Sequence, residues 1–314
     1  MDHPSRIIKI ALDKRARFTR ALADILINRS FPGCSKLLRN AYKLFGSPPA
    51  GSLRIETRHG FDMLINPRHN KGVDASIYYN GTYEAGTLYA ITNSLRKGDI
   101  FIDAGANIGL MSLAAAQKVG AEGKVHAFEP VPDVFAQLQQ NVTINRAENI
   151  LLHNSALGLK PERRTIYEQE HINKGSASFV QPTTDSSARH IVDVDTLDRF
   201  SGSIRSTPIR MIKADVEGWE LEVLQGGKEL LSANNAPILC IEYSVSYSPR
   251  KEQLHDVYDF IRNINEYQFF KLKNGKETIS PLVRISSIND LPKHDNIFCF
   301  LPHHVAEIGS RLFK

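Results

Sequence analysis

The sequence predicts an α/β protein organised on a mostly parallel sheet, and three observations carry that prediction. From Gly98 onward, short apolar runs alternate with longer segments of helical periodicity. Residues 100–116, IFIDAGANIGLMSLAAA, pass from a buried strand through a tight Gly/Asn turn into an apolar helix. With 314 residues, 42% hydrophobic and 23% charged, the chain can bury a full core in one large or two small domains.

The first 50 residues read as a basic helical extension. Residues 1–45 carry ten Lys/Arg against Asp2, Asp13 and Asp24, a balance of +7 that leaves −2 for the remainder. Ile7, Ile8, Ala11, Leu12, Phe18, Leu22, Ile25 and Leu26 recur at helical spacing, which puts the basic residues on the other face. Such a helix either packs on the following domain with a solvated basic face or contacts an anionic membrane or a partner. No nucleic-acid motif accompanies the charge, so a nucleic-acid partner is not expected. Asp13, Asp24 and several arginines interrupt every run that could serve as a signal-peptide core. No segment reaches the roughly 18 apolar residues of a membrane span. Cys34, Cys240 and Cys299 are few and widely spaced, which fits neither a disulfide framework nor a zinc site. The expected setting is the cytoplasm.

SPPAGS, residues 47–52, marks the boundary to a domain spanning 51–314. LRIETRHGFDMLINP alternates and turns at His59-Gly60, which predicts a β-hairpin with His59 as a turn residue. Tyr83 and Glu84 precede a helical pattern that ends near Lys97; the residues alone read Glu84 as a helix-start acid.

The 100–116 segment predicts a nucleoside-binding loop. Asp103 ends the strand, while Gly105 and Gly109 bracket the reversal. Glycine admits positive φ and lets another backbone or a ligand lie close, and Asn107 is the type that best replaces it in a left-handed conformation. Gly-Ala-Asn-Ile-Gly is one residue too short for the dinucleotide fingerprint, which disfavours a nicotinamide dehydrogenase. GKVHAFEP then supplies a second strand ending in Glu129, about twenty residues on, where such folds hold a ribose through its hydroxyls.

Strands are predicted at 100–104, 124–129, 150–155, 209–214, 237–243, 267–273 and 296–302, with helices between the first six. The stretch 158–206 reads as a non-helical, flap-like insertion with β-like pieces at 164–168 and 190–194. MIKADVEGWE puts Asp215 at the end of the fourth strand and Glu217 in the turn; ILCIEYS puts Glu242 at the end of the fifth. Adjacent strand ends share a mouth, so these carboxylates are candidates to take a proton from a hydroxyl nucleophile. His153, His171 and His190 are further base candidates, His171 foremost. Three carboxylates also suit Mg²⁺, but no Asp-Asn pair follows the fifth strand, and no metal ligand is assigned.

DAGANIG, AFEP, LQQNVTIN and IKADVEGWELEVLQGG, in that order, resemble the FkbM-type family of S-adenosylmethionine-dependent methyltransferases. The resemblance implies a class I methyltransferase, Rossmann-like fold: a seven-stranded mostly parallel sheet with helices on both faces, here with the helical N-terminal extension and the hairpin. It implies S-adenosyl-L-methionine as cofactor, held by Glu84, Asp103, Gly105, Ala106, Asn107, Gly109, Glu129, Ser155, Ala156 and Asp215. It puts the catalytic candidates Asp215, Glu217, Glu242 and His171 at the mouth, and a Ser-bearing loop at 173–178. The implied acceptor is a small molecule or a glycan, methylated on a hydroxyl. Trp219 stands where the family usually has small residues, and is expected to narrow the pocket. A non-catalytic nucleoside-binding protein of the same fold is the alternative. Nothing in the residues speaks to the oligomeric state.

Overall fold

The computed structural model describes residues 17–21, 48–68, 70, 72–168, 177–179, 189–204, 208–244 and 255–314. Of the predicted N-terminal extension it describes 17–21, a helical turn, and 48–50. The Arg20 guanidinium donates to the carbonyls of Glu56 (2.7 Å), Ile77 (2.9 Å) and Tyr78 (3.2 Å), tying that turn to the domain that follows.

The hairpin forms as expected: β1 (Leu53–Glu56) pairs antiparallel with β2 (Asp62–Ile65), and Gly60 in the turn has φ +78°. Helix α1 (Val73–Asn80) ends on left-handed Gly81, and α2 (Ala85–Ser94) is entered through Glu84 at φ +44°. There follow β3 (Ile100–Ala104), α3 (Leu110–Val119), β4 (Lys124–Phe128), α4 (Pro132–Ile144) and β5 (Ile150–His153). Pro132 opens α4 at a position whose N–H has no helical partner to lose.

The insertion is more structured than the sequence suggests. Strands β6 (Ala156–Leu157), β7 (Glu162–Glu168), β8 (Ala177–Ser178) and β9 (Arg189–Asp195) form a separate four-stranded sheet in the order β6-β9-β7-β8. The expectation of a non-helical insertion is corrected by α5 (Leu197–Ser203), capped by Thr196, whose side-chain oxygen accepts from Arg199 N at 3.1 Å.

The chain continues with β10 (Ile209–Ala214), α6 (Glu220–Gln225), α7 (Lys228–Ser232), β11 (Ile238–Ser244) and α8 (Asp256–Ile264). It closes with β12 (Gln268–Leu272), β13 (Leu282–Arg284), β14 (His294–Phe300) and α9 (Pro302–Ile308). The main sheet has the order β13-β12-β14-β11-β10-β3-β4-β5. Its five strands from β11 to β5 are parallel, and β14, β12 and β13 are added antiparallel. It therefore has eight strands where seven were expected, because the three-residue β13 pairs onto the edge of β12.

All five residues of β3 are buried, since both faces of this central strand are covered. Phe101 packs on one side with α2, α3 and α4 through Leu88, Leu113 and Leu138. Ile100 and Ile102 pack on the other with α6 and α8 through Val223, Leu224 and Ile261. From β3 the chain runs outward through β4 and β5, then returns to the opposite side for β10 and β11. That reversal opens a crevice at the carboxyl ends of β3, β4 and β10, the place where open α/β sheets bind ligands.

Candidate functional site

A solvent-open cleft of about 1110 Å³ lies at that crevice. Its floor is the β3–α3 loop, where Gly105 (φ +80°), Asn107 (φ +50°) and Gly109 (φ +93°) all take the left-handed conformation. Gly105 meets a second demand: a Cβ there would stand 1.9 Å from the Asp215 carbonyl oxygen, so the loop and the end of β10 touch backbone to backbone. The N–H groups of Gly105 and Ala106 donate to Phe128 O at 3.0 and 2.9 Å, joining the loop to the end of β4.

Glu129 completes that junction. Its Oε2 accepts from Asn107 N at 3.0 Å and its Oε1 from Val131 N at 2.9 Å. It is buried on the cleft wall, and burial pushes its carboxyl up to about 7 against the two N–H bonds that lower it. Each oxygen keeps a lone pair for a further donor, so the group fits a ligand that brings two hydroxyls.

The far side of the cleft is a chain of buried charges. Lys213 Nζ lies 3.0 Å from Asp215 Oδ2 and 3.7 Å from Asp103 Oδ1. Lys276 Nζ lies 2.7 Å from Glu84 Oε1 and 3.3 Å from Glu242 Oε1. Burial alone would neutralise both lysines, but the facing carboxylates hold them cationic. Asp215 is half-buried; its partial burial would raise its carboxyl, yet Lys213 and Lys276 outweigh that and keep it below the usual range. Glu242 goes the other way: burial and the neighbouring Asp215 charge push it well up. The two environments therefore push the pair apart, Asp215 toward its ionised form and Glu242 toward its protonated one.

Gly105, Ala106, Asn107, Gly109, Glu129 and Ala156 all reach the cleft wall, as do Glu84, Asp215, Glu217 and Glu242. Glu84 is the residue before α2, where it makes no side-chain cap, and it faces the cleft beside Tyr83. Two of the cofactor-binding expectations are not met by contact. Asp103 is fully buried behind the wall, where it accepts from Ser112 Oγ at 2.6 Å, and half-buried Ser155 does not line the cleft. Asp103 thus supports the loop from below through Ser112 and Lys213.

His171 lies outside the described residues, as do residues 173–176 of the Ser-bearing loop. Ser178, at its end, donates to Glu217 O at 2.8 Å, and this pins the insertion to the turn after β10. The other histidines are occupied structurally: His153 stacks on Phe128 with centroids 4.3 Å apart, and His190 Nε2 bonds Glu168 Oε1 at 2.7 Å. Trp219 narrows the cleft only indirectly. It backs Phe179, a wall residue 4.9 Å away between centroids, and carries the Arg164 guanidinium 4.5 Å over its ring. Lys213, on the wall, and Lys276, beyond the α2 entry, are the functional residues that sequence reasoning missed.

A family model described as the methyltransferase FkbM domain matches residues 103–270, more than half of the chain. The chain belongs to that family. The chain is 28% identical over 198 residues to Methyltransferase 1 of Beauveria bassiana, covering 55% of this chain and 74% of that protein. It is 31% identical over 174 residues to Methyltransferase sdnD of Sordaria araneosa, covering 45% and 64%. It is 28% identical over 170 residues to the hexuronic acid methyltransferase AglP of Haloferax volcanii, covering 52% and 64%. The chain thus spans less than two thirds of the latter two proteins.

The matched FkbM region starts at Asp103 and ends in β12. Glu84, Lys276 and Asn296 lie outside it, and the latter two converge on Glu84, which lines the cleft. Asn296 Nδ2 donates to Glu84 Oε2 at 3.0 Å and Lys276 takes Glu84 Oε1, so flanking segments of this chain complete the charged side of the site.

Proposed function

We propose that this chain is an S-adenosylmethionine-dependent methyltransferase of the class I kind that methylates a hydroxyl of a sugar, a glycan or a secondary metabolite. The observation that carries the reading is the junction of Asn107 N with Glu129 Oε2. It sets a buried, hydroxyl-seeking carboxylate beside a left-handed Gly/Asn loop in one cleft. Glu129 would hold the ribose, the 105–109 loop would take the close approach of the methionine portion, and Lys213 would stand near its charged end.

When bound, the cofactor supplies a sulfonium methyl group open to in-line attack. The chain must align an acceptor and remove its proton. Asp215, Glu217 and Glu242 line the same wall, and Glu242, raised well above Asp215, is the stronger base of those two once it has lost its own proton. Lys276, against both Glu84 and Glu242, holds that carboxyl in place.

Calorimetric titration with S-adenosylmethionine and S-adenosylhomocysteine tests the reading, with Glu129→Ala and Asp103→Ala alongside. Binding by the wild type that is lost in Glu129→Ala and weakened in Asp103→Ala supports it. A folded wild-type protein that binds neither compound overturns it, and the non-catalytic alternative then stands.

A further inference from the structure

A second, solvent-open hollow adjoins the cleft and shares Asn70, Asn107 and Ile108 with it. It is built from three elements that the sequence keeps far apart: the start of α1, the first turns of α4 and the end of β7. Its polar wall is rich in acceptors, with Asp74, Asp133 and Glu168 beside the amides of Asn66, Asn70 and Gln137. No lysine or arginine stands among the described lining residues.

Asp74 is the feature that asks for a ligand. It is 1% exposed, and its Oδ2 accepts from Asn66 N at 2.6 Å and weakly from Gln137 Nε2 at 3.5 Å. Its other oxygen, Oδ1, is buried with no hydrogen-bond partner, and the residue lines the annex. A buried acceptor left unpaired carries its full desolvation cost, which a donor from a ligand would repay. Burial accordingly pushes the carboxyl up to about 6.

We propose that this annex is the acceptor subsite and that it takes the hydroxyls of an uncharged sugar ring, one of which donates to Asp74 Oδ1. The inference rests on the methyltransferase reading above and adds the substrate class to it. Hydroxyl groups can donate to the wall's carboxylates and accept from its amides at the same time. A uronate would bring a fourth carboxylate among three, with no cation on the described wall to meet it. The cofactor's ribose has its own acid in Glu129, which lines the main cleft and not the annex.

The test is a ligand-observed NMR titration of the full chain, saturated with S-adenosylhomocysteine, with methyl β-glucopyranoside and methyl β-glucopyranosiduronate as probes. Asp74→Asn replaces the unpaired acceptor with a donor at constant shape. Asp133→Lys, at an exposed wall position, blocks the annex without touching the core and covers the case in which Asp74→Asn does not fold. The neutral glycoside is expected to bind about tenfold more tightly than the uronide, and each variant to weaken it about tenfold. Affinity for S-adenosylhomocysteine should stay within about twofold.

Equal or tighter binding of the uronide, no binding of either glycoside, or glycoside binding untouched by the variants overturns the proposal. So does a loss of S-adenosylhomocysteine affinity in step with glycoside affinity, which would assign the annex to the cofactor. Failure of the wild type to bind S-adenosylhomocysteine would strike the methyltransferase reading instead. The same glycoside titration on the free protein would still decide the annex.

Discussion

Lys213 places its ammonium 3.0 Å from Asp215 Oδ2, and the same nitrogen is 3.7 Å from Asp103 Oδ1. One buried cation thus compensates an acid just past the end of its own strand and another on the neighbouring strand, because β10 and β3 set Lys213 directly opposite Asp103. Breaking such a group by removing one partner leaves charge without compensation in the interior. Lys213→Met should cost about 3 kcal/mol of unfolding free energy by denaturant titration. Lys213→Met combined with Asp103→Asn should recover part of that loss, whereas additive losses would show that the two do not interact.

Glu129 links the loop to pH. Its carboxyl is raised from 4.5 to about 7, so ionising it opposes folding, and the ligand-free protein loses stability as pH rises through that window. A ligand that donates hydroxyls favours the ionised form and reverses the trend. The thermal shift produced by S-adenosylhomocysteine should therefore be larger at pH 8 than at pH 6. Glu129→Gln should flatten the dependence; an unchanged slope in that variant would place the titrating group elsewhere.

Gly105 and Gly60 separate strain from contact. Both have φ near +80°, yet a Cβ meets nothing within 4 Å at Gly60 and the Asp215 carbonyl at 1.9 Å at Gly105. Gly60→Ala should cost about 1 kcal/mol, the backbone term alone. Gly105→Ala should cost at least about 3 kcal/mol and abolish cofactor binding, since β10 and the loop must move apart. Equal losses in the two variants would refute the backbone contact as the reason for the glycine.

What the sequence discloses here follows the range of the forces involved. The strands were legible because β3, β4, β10 and β11 are almost wholly buried and read as apolar runs. The loop was legible because Gly105, Asn107 and Gly109 are the types that left-handed backbone selects. β13 was not, since three residues carry no periodicity and are fixed only by pairing with β12. The α5 helix carried a usable signal in the Thr196 cap, but a helix of seven residues is shorter than the periodicity window that finds helices. Lys213 and Lys276 escaped notice for a third reason. Each gains its meaning from a partner brought near by topology, as when Lys276 meets Glu84 across the entry to α2.

Glu242 offers the sharpest kinetic test. It is 8% exposed, lines the cleft with Asp215, and its Oε1 stands 3.3 Å from Lys276 Nζ. Burial and Asp215 raise its carboxyl well above the usual range, so the proton must leave before it can act as a base. Methyl transfer is then expected to rise with pH as that proton is lost. Glu242→Gln, which cannot accept a proton, should lower turnover by about 10²–10⁴-fold and remove the rising limb. Lys276→Met should shift the limb to higher pH, because the cation is what favours the ionised form. A Glu242→Gln enzyme that keeps both rate and limb would pass the role of base to Asp215 or Glu217. The effect of Lys276→Met would then report packing around Glu84 alone.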